Sequence, residues 1–308
     1  MRICHIGTMG SIEKEGQITQ IIFNECEGEH IYHYLHDSAR PDADVYILHC
    51  VKNQKHFPKQ ITYRAPFGKK LISLVHSSEP CLPSKYSDTV VTLTNAWRKR
   101  LYNLYGIDSI TIYGGIDLSL YKANPNYRGN MIGRIARAEP GKFHSDWNKL
   151  LKSFLKKDKT IKVKIICKGY SQFNFIIDDN FSWVNDIAIG DHDRKIKELE
   201  EMSLYIECHN DGSRAFIETF CVATLEAMAC GLPVVIYKGM QEPLAEVVGN
   251  GGVVCDDIDV FKNEVLELIK NPVRKKQLGE KARKRAEQFS KENMIYEWNQ
   301  VLGEICSQ

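Results

Sequence analysis

Phe216-Ile-Glu218-Thr-Phe-Cys-Val-Ala-Thr-Leu-Glu226-Ala-Met-Ala-Cys-Gly231-Leu-Pro233-Val-Val is the densest stretch of this 308-residue chain. Gly231 is a natural helix terminator, and Pro233 prevents the helix from resuming. The short, β-branched run that follows, residues 233–237, reads as a buried strand. A helix that starts shortly after Glu218, contains Glu226 and hands over to a strand is the local pattern of a parallel α/β sheet.

The same alternation extends outward from that stretch. Apolar, β-branched runs at 3–6, 44–49, 70–76 and 89–93 read as strands. The last leads into a helix over 95–104, with Thr94 as its N-cap. Turn-rich residues at 113–117 and 123–126 close this series. A second one has strands at 131–134, 162–167 and 203–208 and helices at 147–154 and 193–201. The charged helical pattern over 274–305, interrupted near Phe289 and Ser290, is too long to belong to the second sheet alone. The expected organisation is an α/β domain at 1–127, a second at 128–285 and a terminal helix at 286–308 that crosses back to the first.

Composition narrows the function. Hydrophobic residues are 43% and charged residues 26%, ordinary for a globular protein able to bury a core. A formal charge of +2 gives no general case for a specific nucleic-acid partner. The bases are concentrated at 149–168 and 270–291, which hold 17 of them against three acids. They read as solvated helix faces, with an anionic membrane surface or polyanionic acceptor as the minority reading. Ten scattered cysteines without a Cys-x-x-Cys fit reduced thiols. No apolar run reaches about 18 residues, and the amino-terminal run is too short for a signal peptide. The expectation is a soluble, cytoplasmic protein.

The chemistry is sought in the opening stretch. Eight residues of helix separate Glu218 and Glu226 by roughly 12 Å along the axis. An acid/base pair acting on one glycosidic bond needs about 5–9.5 Å. Two carboxylates so far apart could instead bracket an elongated ligand at the positive end of the helix, such as a nucleotide diphosphate sugar. The spacing alone also fits one exposed Glu and one on a helix surface. His30-x2-His33-x2-His36 has a weak metal-like spacing but no acidic or Cys partner. Dinucleotide, P-loop and Gly-x-Ser-x-Gly motifs are absent. Asp256-Asp-Ile-Asp259 reads as a solvated loop, so no metal ligand is assigned.

The stretch as a whole resembles the signature of the group 1 (family 4) glycosyltransferases, Glu-x-Phe-Gly-x4-Glu-Ala-Met-Ala-x-Gly-x-Pro-Val. Glu218, Phe220, Glu226, Ala227, Met228, Ala229, Gly231, Pro233 and Val234 match in register. Cys221 stands where that family has Gly. Gly115-Ile-Asp117 with Tyr121 resembles the family's domain-junction motif. Gly133-Arg134 with Arg137 and Lys142 resembles its diphosphate clamp, and either arginine could be the partner of Lys142. His76 resembles its strand-end histidine, and Gly10 lies in the loop of its phosphate-facing glycines.

The resemblance implies a GT-B fold, with two Rossmann-like domains whose parallel sheets face each other across a cleft. It implies retaining, metal-independent transfer of a sugar from a nucleotide diphosphate sugar to a hydroxyl of an unidentified glycan, lipid or small-molecule acceptor. The donor is a substrate, so no cofactor is expected. The catalytic set it implies is His76, Glu218, Arg134 and Lys142. The donor-binding set is Gly10, Arg137, Thr219, Phe220, Cys221, Val222 and Glu226. The alternatives are a nucleotide-sugar epimerase of the same fold and a non-catalytic sugar-nucleotide-binding protein.

Overall fold

The computed structural model describes residues 1–7, 17–35, 41–50, 63–76, 82–122, 125–137, 140–167, 179–184, 191–210 and 217–307. They form two compact units. The first comprises Met1–Ile116, Ile217–Phe220 and Phe289–Gln308, and the second Asp117–Phe216 and Cys221–Gln288.

The first unit is built on β1 (Arg2–Gly7), β2 (Glu29–Tyr34), β3 (Val45–Cys50), β4 (Lys70–Val75), β5 (Thr89–Thr92) and β6 (Ile110–Thr111). They lie in the order β2-β1-β3-β4-β5-β6, with every pairing parallel. Helices α1 (Gln17–Glu25) and α2 (Asn95–Tyr105) belong to the same unit. Thr94 caps α2 as its sequence suggests, accepting from Trp97 N at 3.2 Å. The core places Ile6, Tyr46, Leu48, Leu71, Trp97 and Leu101 together, and Ile217 packs into it. That anchor draws the four residues Ile217–Phe220 into this unit.

The second unit contains β7 (Met131–Ile135), β8 (Lys162–Ile166), β9 (Phe181–Val184), β10 (Leu204–Cys208), β11 (Val234–Tyr237) and β12 (Val253–Cys255). Their order is β12-β11-β10-β7-β8-β9, again parallel throughout. Helices α3 (Trp147–Lys157), α4 (His192–Glu200), α5 (Val222–Ala229), α6 (Glu242–Val248), α7 (Ile258–Ile269) and α8 (Pro272–Ala286) accompany it. Leu151 and Phe154 of α3 and Phe261 and Val265 of α7 share a core with Ile132, Val163, Leu204 and Val235. Gly133 has a packing reason, since a Cβ there would lie 2.0 Å from Met202 Sδ. Gly231 ends α5 at φ 74°, a left-handed conformation that glycine adopts without strain.

The long charged pattern at the carboxyl end divides at a 3-10 turn, Glu287–Phe289, into α8 and α9 (Lys291–Ser307). Helix α9 belongs to the first unit. Asn299 Oδ1 accepts from Glu27 N at 2.9 Å, and Lys291 pairs with Glu25 at 3.1 Å. The histidines at 30 and 33 lie on β2 and not on a helix, and His36 is outside the described residues. The segment 253–255 before Asp256 is strand β12, and Asp257 caps α7. No helix among the described residues is long and apolar enough to cross a membrane.

Candidate functional site

Parallel α/β sheets present their ligand-binding loops beyond the carboxyl ends of the strands. In the second unit that edge holds Arg134 on β7, Glu207 on β10 and the first turn of α5. Arg134 and Glu207 are 0% and 2% exposed and form an ion pair. The guanidinium also donates to Cys208 O at 3.1 Å and to Lys142 O, and lies over the rings of Phe143 and Trp147. Burial raises the Glu207 pKa, but the charge of Arg134 outweighs it and brings the carboxyl below the usual carboxylate range. The pair is therefore charged. Glu207 also accepts from Tyr205 OH at 3.1 Å and lies 3.5 Å from Thr224 Oγ1.

His209 Nε2 sits 2.9 Å from Glu207 Oε1, but off hydrogen-bond alignment, and Nδ1 takes no partner among the described residues. Burial lowers its pKa to about 4, so the ring is neutral. Lys142 is buried and Arg137 exposed. Asn210 N donates to Gly141 O at 3.2 Å and His144 N to Cys208 O at 3.1 Å, which stitches the Lys142 loop to the end of β10. Cys221 precedes α5 without capping it. Its thiol is buried and points to Thr224 Oγ1 at 3.1 Å, while Val222 is half-buried. The first-turn amides of α5 thus have no side-chain cap, which favours an anion there.

Glu226 lies deeper in α5 and is buried. Tyr121 OH and Lys195 Nζ both reach its Oε1, each at 2.7 Å, and His192 Nδ1 is 3.2 Å from the same hydroxyl. Arg283 of α8 donates to Tyr121 O at 2.8 Å and to Ala229 O, fixing this cluster from below.

In the first unit, His76 follows β4. Its backbone oxygen accepts from Thr219 Oγ1 at 2.8 Å, and Thr94 Oγ1 donates to Thr219 O at 3.2 Å. Glu218 is half-buried beside this anchor, and the Phe220 ring packs edge-on to Phe289. His76 Nε2 is enclosed without a hydrogen bond, and burial lowers the ring's pKa to about 4. Gly10 lies outside the described residues.

Behind His76 runs a file of histidines. His49 Nε2 and His5 Nδ1 are 2.9 Å apart, His5 Nε2 and His30 Nδ1 2.8 Å, and His30 Nε2 is 3.1 Å from Cys26 O. A carbonyl can only accept, so His30 carries its proton on Nε2. Each neighbour must then donate from Nε2 and accept at Nδ1, ending with Thr19 Oγ1 donating to His49 Nδ1 at 3.3 Å. The file is neutral and runs in one direction. Burial holds His5 at about 3 and His49 well below the ordinary value. Among the described residues no cluster of His, Cys, Asp or Glu forms a metal-holding group.

The structure thus gathers Arg134, Lys142 and Cys221 in the second unit and His76 with Thr219 in the first. Sequence reading did not single out Glu207, His209, Lys195, His5 or His49. Glu207 and His5 carry one available signal, a polar residue inside an apolar run that forms an inner parallel strand.

The sequence model of the family described as "Glycosyl transferases group 1" matches residues 122–285. Among solved structures, sucrose-phosphate synthase from Thermosynechococcus elongatus aligns with TM-score 0.72 and 13% identity, over 99% of each chain. HepE from Anabaena, in complex with UDP and glucose, aligns with TM-score 0.68 and 14% identity, over 100% of this chain and 99% of that one. TarM from S. aureus aligns with TM-score 0.61 and 18% identity over 78% of this chain, which spans about half of that protein (51%). These likenesses establish the GT-B fold. No curated protein sequence matches the chain.

Proposed function

The chain belongs to the group 1 glycosyl transferases, and from that membership we propose that it transfers a sugar from a nucleotide diphosphate sugar to an acceptor hydroxyl with retention of anomeric configuration. The observation that carries this reading is the layout of α5. Its first turn has no side-chain cap, and Lys142 is close enough to lower the Cys221 pKa, although burial and Glu207 together hold that thiol above its ordinary value. Further along the same helix, Glu226 has both of its donors on Oε1, which leaves Oε2 for a ribose hydroxyl. The diphosphate would lie at the helix N-terminus and the ribose beside Glu226.

His76 and Glu218 are assigned the donor sugar. Cations at the Lys142 loop stabilise the leaving diphosphate as the glycosidic bond breaks. These side chains and the helix terminus supply the positive charge that a divalent ion supplies elsewhere, so transfer is expected without a metal. The retaining course rests on the family resemblance, with attack from the face the diphosphate leaves. HepE is bound to UDP and glucose, which makes UDP-glucose the first donor to try.

The test is turnover and nucleotide affinity of purified variants. Glu218→Ala should cut transfer strongly with nucleotide binding retained, and Glu226→Ala should chiefly weaken nucleotide binding. Unchanged turnover and affinity in both would overturn the assignment.

A further inference from the structure

Glu207 has no role in the transfer reading, yet it engages several parts of the second unit at once. A carboxylate offers about four acceptor positions. Here three of them face Arg134, Tyr205 OH at 3.1 Å and Thr224 Oγ1 at 3.5 Å, and the neutral His209 ring packs 2.9 Å away, off hydrogen-bond alignment. Little is left of it to recognise a sugar hydroxyl. Its partners instead belong to the parts that would surround a bound diphosphate. They are the end of β7, the residue after β10 and the first turn of α5.

Arg134 is affected most. Its guanidinium is held by Glu207 and by the carbonyls of Lys142 and Cys208, and two aromatic rings cover it. Nε, which takes no hydrogen bond, is enclosed as well. Opposite charges in contact present little net field to a third group. A wholly buried arginine so committed has no fork to turn toward a phosphate. Arg137 lies two residues beyond the end of β7 and is exposed, and Lys142 sits in the loop that Arg134 holds by its carbonyl.

We propose that Glu207 is a positioning residue of the donor site: it neutralises Arg134 and makes it a strut for the Lys142 loop, leaving Lys142 and Arg137 as the cations that meet the diphosphate. The inference rests on the nucleotide-sugar reading above.

The test is calorimetric titration of the full chain with UDP, GDP and ADP, each against its own monophosphate. The readout is the ratio of diphosphate to monophosphate affinity. Glu207→Gln keeps an acceptor for Arg134 and removes a negative charge, so the ratio rises about tenfold. A purely structural glutamate would lower Tm and leave the ratio where it was. Arg137→Gln lowers the ratio about tenfold through one lost charge-assisted contact. A ratio that does not move as stated in either variant overturns the inference. Should Glu207→Gln not fold, Arg137→Gln, at an exposed position, decides alone. If the parent chain binds none of the three diphosphates, the nucleotide-sugar reading fails and this inference fails with it.

Discussion

The two units bury polar groups at their sheets in opposite ways. The first uses neutral imidazoles whose tautomers are fixed in sequence by the Cys26 carbonyl. The second uses compensated charge, with Arg134 against Glu207 and Lys195 against Glu226. A neutral file is cheap to bury but intolerant of an added proton. A buried ion pair tolerates acid to a lower pH, yet cannot lose one partner without stranding the other. The same parallel architecture therefore fails for different reasons in its two halves.

The largest effect is expected of Arg134→Met. It leaves Glu207 buried and uncompensated and should cost about 3–5 kcal/mol, read by urea unfolding with the loss localised to the second unit by hydrogen exchange. A loss below about 1 kcal/mol would mean that Glu207 takes up a proton easily or reaches water.

Acid should act chiefly on the other unit. His5 and His49 have folded pKa values far below the ordinary histidine value, His5 at about 3. In the unfolded chain both protonate near pH 6.5, so their contribution is complete above that pH and is lost as pH falls. The pair together withdraws about 3 kcal/mol per pH unit once the unfolded histidines are charged. Glu207 is also depressed, so its contribution is complete above about pH 4.5 and is lost only below that. Calorimetry between pH 7 and 5 should show the first unit losing stability about three times as steeply as the second, because burial holds His5, His49 and His76 neutral in the first and His209 in the second. Equal loss in both would contradict the contrast.

The smallest effect concerns the second charged cluster. Tyr121→Phe removes one of two donors on Glu226 Oε1 but keeps Lys195. It should cost about 1.5 kcal/mol of stability, measured by urea midpoint. A cost as large as that of Arg134→Met would show that the Lys195 pair does not stand alone.

Much of the fold was legible because of where strands lie in the sheets. The runs at 3–6, 44–49, 70–76 and 89–93, and at 131–134, 162–167, 203–208 and 233–237, became β1, β3, β4, β5, β7, β8, β10 and β11. All are inner strands, covered on both faces for most of their length and so predominantly apolar. The four strands without a clear signal, β2, β6, β9 and β12, are the four sheet edges. Edges are short or polar; β2 reads Glu-His-Ile-Tyr-His-Tyr. The excursion of Ile217–Phe220 into the first unit has no periodic signature, because it depends on one anchor, Ile217, and the hydrogen bonds of Thr219.

The candidate site was legible only as residue types at fixed spacing. Glu226 and Lys142 could be named, but that Arg134 is enclosed depends on Glu207, 73 residues away in the chain. Spacing says nothing about such a partner. The helix Arg274 to Ile305 shows the same limit. Its break near Phe289 was visible, while the membership of α9 in the first unit rests on contacts such as Glu27 to Asn299.

Nucleotide binding at the second unit is tested most directly by hydrogen exchange of the full chain with and without a saturating nucleoside diphosphate, chosen from UDP, GDP and ADP by titration. Exchange should slow at residues 134–142, 207–209 and 221–226. Protection confined to other segments, or no protection by a nucleotide that binds, would contradict it.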